Sequence, residues 1–189
     1  MLNVMACTAP MRTSPTGVAM TDSLDSETAR ATFVNTMGAA VTGVAIVTTN
    51  GPGGRLGRTI SAMASVSADP PMLLVCVNRR SPLERAIRAN GVFGVSVLAE
   101  HQADVSDAFA GRSRSATPFG FAARHGDDDA AGVPLLAGAA ACFACRVESA
   151  VEAGTHTVFI GGVLETSHHT ASPLAYTSRA YARPLPLAA

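Results

Sequence analysis

Short apolar runs, many of them β-branched and bounded by Gly, Pro or Asn, dominate this chain from Val44 onward, a pattern that reads as strands. Val44 to Thr49 is the first, and Asn50-Gly51-Pro52-Gly53-Gly54 turns it back as a hairpin onto the next. The stretch from Gly57 to Asn78 organises the rest. It opens with Thr59, Ser61, Ser65 and Ser67, spaced so that an extended chain presents hydroxyls on one face. It turns at Ala68-Asp69-Pro70-Pro71, where the prolines cannot donate to a ladder, and ends in the apolar run Met72 to Val77. Small residues between the hydroxyls let a flat ligand approach the backbone. Later strands are predicted over Val92–Leu98, with Phe93, Val95 and Val97 on one face, and over Gly138–Val151. In the latter Phe143, Cys145 and Val147 oppose Arg146 and Glu148. A turn at Glu152-Ala153-Gly154 leads to a strand over Thr157–Glu165, and Pro173 to Tyr181 is a short strand or loop.

Helical spacing is confined to three places. Ser26 caps a helix opened by Glu27, with Phe33, Val34, Met37 and Val41 on one apolar face. Ser81, Pro82 and Glu84 form a capping box for a second helix that buries Leu83 and Ile87 and ends at Asn90-Gly91. A third runs over about Glu100–Ala110, carries Val105 and Phe109 inward and stops at Gly111. Residues 111–133, with Arg112, Arg114 and Asp127 to Asp129, read as a surface loop. Parallel β-α-β repeats are absent. The pattern therefore predicts a mainly β fold, a closed antiparallel barrel with short peripheral helices. Residues 1–24 read as a flexible leader, 25–183 as one domain and 184–189 as a tail.

Composition narrows the function classes. The 189 residues suffice for one domain with a core. Only 15% are charged and 48% are apolar, against a usual charged fraction of about 25%. A covering second subunit or an alanine-rich composition each account for that. The formal net charge is zero, which disfavours nucleic acid. No apolar run approaches a membrane span, and the N-terminus lacks a signal-peptide core. Cys142 and Cys145 form a C-x-x-C, but residues three apart on a strand face opposite sides, so they read as core fillers rather than a zinc or redox pair. A reduced, cytoplasmic protein is the expectation.

Several catalytic patterns fail on their spacing. Gly51 to Thr59 is one residue too long for a P-loop, has Arg58 in place of lysine, and leads into a strand instead of a helix. No G-x-G-x-x-G follows a predicted strand. Gly94-Val95-Ser96-Val97 lacks the second glycine of a hydrolase elbow. His168-His169 has no third metal ligand at sensible spacing, and His125 beside Asp127 to Asp129 reads as a solvated acidic loop.

The central stretch, T-x-S-x-x-x-S-V-S-x-D-P-P followed by LLVCVN-x-x-S, resembles the flavin reductase family, the small reductases of two-component flavin-dependent monooxygenases. Gly94 to Ala99 with Gln102 and Phe109, Gly132 to Leu136, Gly154-Thr155-His156 with Val158 to Val163, and Pro173 to Tyr176 with Arg179 and Tyr181 extend the resemblance over Phe33 to Tyr181. It implies an FMN-binding split barrel, a homodimer with flavin near the subunit interface, and hydride transfer from NADH or NADPH to FMN or FAD. Reduced flavin would then diffuse to a partner monooxygenase. The residues carried over are Thr59, Ile60, Ser61 and Ala62 along the isoalloxazine, then Ser65, Val66 and Ser67. Asn78 and Ser81 fall near the phosphate, where the helix start adds free N–H groups, and Ala99 and Gln102 supply a further flavin contact. Gly154 and the catalytic His156 mark the nicotinamide site. Tyr176 and Arg179 join the cofactor-binding set, with packing and ion pairing as the competing reading. Thr155 stands where the family has aspartate, so the histidine is not oriented by charge. An oxidase on the same barrel, a non-catalytic flavin binder and a Ser–His hydrolase are the alternatives.

Overall fold

The computed structural model describes residues 26–112, 132–185 and 187. The leader, most of the 111–133 loop with its His125–Asp129 segment, and half of the tail lie outside them. The chain divides between Thr36 and Met37 into two compact units. The elements in order are α1 (Ser26–Gly38), β1 (Thr42–Gly43), β2 (Ala45–Thr49), β3 (Leu56–Ile60), β4 (Met63–Ala68), β5 (Pro71–Asn78) and α2 (Pro82–Asn90). They continue with β6 (Val92–Val97), α3 (Ala103–Phe109), β7 (Ala141–Ala153), β8 (His156–His168), β9 (Ala175–Thr177) and β10 (Ala180–Ala182). No helix among the described residues is long and apolar enough to cross a membrane.

Seven strands form one antiparallel sheet in the order β3-β2-β6-β7-β8-β5-β4. Its two edges, β3 and β4, are consecutive in the chain. Laid flat, six strand spacings would hold those edges about 29 Å apart. Ile60 and Met63 are joined by at most about 11 Å of chain. The sheet therefore curls until its edges nearly meet, and Ser61-Ala62 is the seam, with Cys76 N donating to Ala62 O at 3.0 Å as the β4–β5 pairing runs out into it. The result is an antiparallel split barrel. A smaller sheet, β1-β9-β10, accompanies it.

Two apolar clusters explain the strand composition. Ala45, Val47, Leu73, Val75, Val77, Phe93, Val95, Cys145 and Phe159 form the first, joined by Leu83 and Ile87 of α2. Val44, Ile46, Leu98, Phe109, Leu136, Cys142 and Leu174 form the second. β2 is buried at every position because both of its faces are covered. Cys142 and Cys145 fall in different clusters, as alternation along a strand requires.

Local differences from the sequence expectations have local causes. Ser81 caps α2 by accepting from Leu83 N at 3.3 Å, but the box does not close. Ser81 N donates to Asn78 O, and the Glu84 carboxylate turns away to Arg88 and Thr157. α3 begins three residues later than expected, because Gln102 Oε1 accepts from Ala99 N at 2.9 Å and makes residues 99–102 a turn. A bulge between Ser65 and Ser67 interrupts the alternation of hydroxyls along β4. The apolar stripe of α1 is exposed in this chain, with Phe33, Val34 and Met37 all uncovered, as is Val41 just beyond the helix.

Candidate active site

A cavity of about 320 Å³ opens at the seam. Its centre is the end of β3 and the break after it: Arg58, Thr59, Ile60, Ser61 and Ala62. Ser61 and Ala62 belong to neither ladder, since pairing with β2 ends at Ile60 and pairing with β5 begins at Met63. Ala62 O accepts from Cys76 N. Ser61 and Ala62 both line the cavity, and their side chains are small enough to let a ring approach.

One wall comes from Cys76, Val77 and Asn78 at the end of β5 and from His156 at the start of β8. Asn78 and His156 are register partners, so the ladder itself sets the histidine beside the asparagine. Asn78 Oδ1 accepts from Arg80 N at 2.9 Å. His156 is half-buried, and its Nδ1 lies 2.9 Å from Thr155 Oγ1. Burial pushes the Cys76 thiol up from its ordinary range.

The rest of the lining is supplied by Val44, by Ser106 and Ala110 at α3, by Arg112 and by Tyr176 and Tyr181. The Thr59 hydroxyl donates to Ser106 O at 2.6 Å and ties β3 to α3. The Tyr181 hydroxyl lies 2.9 Å from Ser106 Oγ and 2.8 Å from Asp107 Oδ1. A phenol has one proton, so the carboxylate takes it and the serine hydroxyl supplies the other hydrogen. Burial raises the Tyr181 phenol above its usual range; the Ser106 hydrogen bond opposes it, the bond to and charge of Asp107 add to it, and the Arg112 charge opposes it slightly. Tyr176 meets Tyr181 edge to face at 5.6 Å. Arg112 Nη1 reaches Asp107 Oδ1 at 3.6 Å. Two guanidinium groups and a histidine line the cavity, and no carboxylate does among the described lining residues.

Of the residues singled out from sequence, the cavity gathers Thr59, Ile60, Ser61, Ala62, Asn78, His156 and Tyr176. Ser65, Val66, Ser67, Ser81, Ala99, Gln102, Gly154 and Arg179 stand outside its lining. Ser67 Oγ accepts from Asp69 N at 3.1 Å and serves the turn. Ser81 is buried under its own helix start, so the N-terminus of α2 is not part of the lining. Gln102 is buried, with its Nε2 donating to Ala137 O at 3.0 Å. Ala99 pairs with Pro173. Gly154 takes the left-handed turn position, φ +57°, between β7 and β8. Arg58, Cys76, Ser106, Arg112 and Tyr181 line the cavity without having been selected as site residues. Tyr181 lay within the quoted C-terminal segment, and a pair of arginines flanking hydroxyl-rich elements was the available signal for an anion.

The lining fits a flavin. The volume lies within the usual range of small-molecule pockets. Ile60, Val44 and Val77 offer apolar contact, Ser61 and Ala62 leave room for a ring, and Arg58 with Arg112 suits a phosphate.

Known proteins agree with this reading. Residues 37–184 match the family model described as flavin reductase like domain. The chain is 43% identical over 154 residues to an FMN reductase (NADH) RutF of Ancylobacter novellus, covering 82% of each chain. It is 38% identical over 147 residues to the reductase component of a 4-nitrophenol 4-monooxygenase/4-nitrocatechol 2-monooxygenase of Rhodococcus opacus, covering 78% of this chain and 77% of that one. Among solved structures it resembles the NADH:FAD oxidoreductase SgcE6 of Streptomyces globisporus C-1027 in complex with NAD and FAD fragments. There the TM-score is 0.75 at 29% identity, over 83% of this chain and 93% of that one. The seam cavity, the split barrel that creates it and these likenesses together establish that the chain belongs to the flavin reductase like family.

Proposed function

We propose that the protein is an NAD(P)H:flavin oxidoreductase that reduces FMN or FAD and hands the reduced flavin, by diffusion, to a partner flavin-dependent monooxygenase. The observation that carries the reading is the seam cavity, whose lining brings His156 together with Ser61 and Ala62 at the break between β3 and β4. The family match and the relatives' activities support it. When bound, the flavin supplies the hydride acceptor, and that chemistry is the cofactor's own.

The chain's residues bind and orient. Thr59 to Ala62 hold the ring edge with amides and small side chains, and the Ser61 hydroxyl with nearby N–H groups stabilises negative charge there. Arg58 and Arg112 hold the phosphate. Asn78 and Tyr176 frame the opening. His156 contacts the nicotinamide of the hydride donor, and holding both partners in one cavity supplies most of the acceleration by proximity.

The working assembly we propose is a homodimer. It rests on the low charged fraction and on the exposed apolar residues Val66, Val151 and Leu164. Ser65, Val66 and Ser67, on the exposed β4, contribute to flavin binding only if such an interface covers that strand. Ser81, Ala99, Gln102, Gly154 and Arg179 support the site from outside its lining. The domain is 25–183, which adds α1 to the matched segment, and the free thiols Cys76, Cys142 and Cys145 suit the cytoplasm.

Steady-state kinetics of His156→Ala test the reading. The KM for NADH rises while flavin affinity stays nearly unchanged. Lost flavin affinity with an unchanged KM for NADH would instead move His156 into the flavin site.

A further inference from the structure

The turn that delivers His156 is fastened from the β5–α2 corner. Arg79 N donates to Thr155 O at 3.0 Å, and Arg79 Nη1 reaches Gly154 O at 3.5 Å. Arg79 Nη2 pairs with Glu152 Oε2 at 2.8 Å. Ladder pairing sets the backbone of His156 between Asn78 on one side and Ala153 on the other. These contacts fix where the histidine starts but leave its ring torsions open.

The Thr155 hydroxyl, 2.9 Å from Nδ1, is the described group that holds the ring. A hydroxyl donates or accepts, so it serves Nδ1 in either protonation state of the imidazole. With Nδ1 engaged, Nε2 is the nitrogen left for a ligand in the cavity. A carboxylate at this position would also orient the ring. It would in addition place a negative charge on the rim that a dinucleotide, with its diphosphate, must pass. Thr155 orients without that charge, and the acid nearest it on the hairpin, Glu152, is already paired with Arg79 and sits 3.6 Å from Arg88.

We propose that Thr155 is a positioning residue for the hydride donor, its hydroxyl fixing the His156 imidazole so that Nε2 is presented to the nicotinamide dinucleotide. This rests on the reading of His156 as the nicotinamide contact.

Thr155→Val removes the hydroxyl at nearly constant shape, and Thr155→Ser keeps it. Both are measured beside His156→Ala for KM and kcat with NADH at saturating flavin, for flavin affinity and for melting temperature. One hydrogen bond of ordinary strength corresponds to a rise in KM of about three- to tenfold for Thr155→Val. Its kcat, flavin affinity and melting temperature stay close to the parent's, and Thr155→Ser restores the parent KM. An unchanged KM in Thr155→Val, or a Thr155→Ser variant as impaired as it, overturns the proposal. If His156→Ala raises the KM and Thr155→Val does not, only the positioning role falls. If neither does, the assignment of His156 falls with it.

Discussion

Glu84 offers the sharpest test of the packing that holds the site wall. Its side chain is 8% exposed, and it accepts from Arg88 Nε at 2.6 Å and from Thr157 Oγ1 at 2.9 Å. Thr157 is fully buried and follows His156 on β8, so this carboxylate pins β8 to α2 next to the cavity. Burial alone would push the Glu84 carboxyl up. The bonds from Arg88 and Thr157 and the charges of Arg88 and Arg79 outweigh it and hold the carboxyl below the ordinary glutamate range. Glu84→Gln keeps an acceptor oxygen for both donors, removes the charge and puts an NH2 donor in place of the second oxygen. A charge-assisted bond exceeds a neutral one by about 1 kcal/mol. Arg88, being 41% exposed, regains water in the variant, so the loss stays below that of a fully buried pair. We expect about 1–2 kcal/mol, or a fall in melting temperature of about 2–8 °C for a chain of this size.

The pH dependence has a definite sign. A carboxyl whose pKa is depressed by folding adds stability above its unfolded value of about 4.3, and loses it as pH falls through the folded value. Thermal unfolding followed by circular dichroism at pH 7 and at successively lower pH gives the measurement. The gap between parent and Glu84→Gln is full at neutral pH and closes below the range where the folded carboxyl titrates. A variant that melts with the parent at pH 7, or a gap that survives unchanged into strong acid, would refute the reasoning.

Two further substitutions probe the barrel and the cavity. A Cβ at Gly161 would stand 2.5 Å from Phe93 Cζ and 2.9 Å from Cys145 Cβ, and Phe93 is fully buried. Gly161→Ala should therefore destabilise by about 1–3 kcal/mol, read as a lower denaturant midpoint at unchanged slope. Arg112→Gln removes a lining cation, and FMN titrations should show affinity about three- to tenfold weaker with a flatter dependence on salt.

Local chemistry was legible where the cause was local. Ser81-Pro82 and Asn90-Gly91 bracket α2 because capping is decided within a few residues. The β2–β3 and β7–β8 hairpins follow from their turn residues. Cys142 and Cys145 diverge because a strand has period two. The seam at Ser61-Ala62 was visible only as a hydroxyl-rich run. That the run forms both edges of one sheet depends on the long-range pairing of β5 with β8 and of β2 with β6. Arg58 on β3, Tyr181 on β10 and Arg112 just beyond α3 reach the cavity from separate parts of the chain, and no spacing in sequence joins them. Glu84 was read as half of a capping box, whereas its carboxylate serves Arg88 four residues on and Thr157, 73 residues away, which no local pattern shows.

The most direct measurement mixes the purified protein with flavin and NADH in the absence of oxygen and follows the visible absorbance of the oxidised flavin. The account predicts that FMN or FAD bleaches at a rate that scales with protein and saturates with NADH or NADPH. No bleaching of either flavin with either nicotinamide would contradict it.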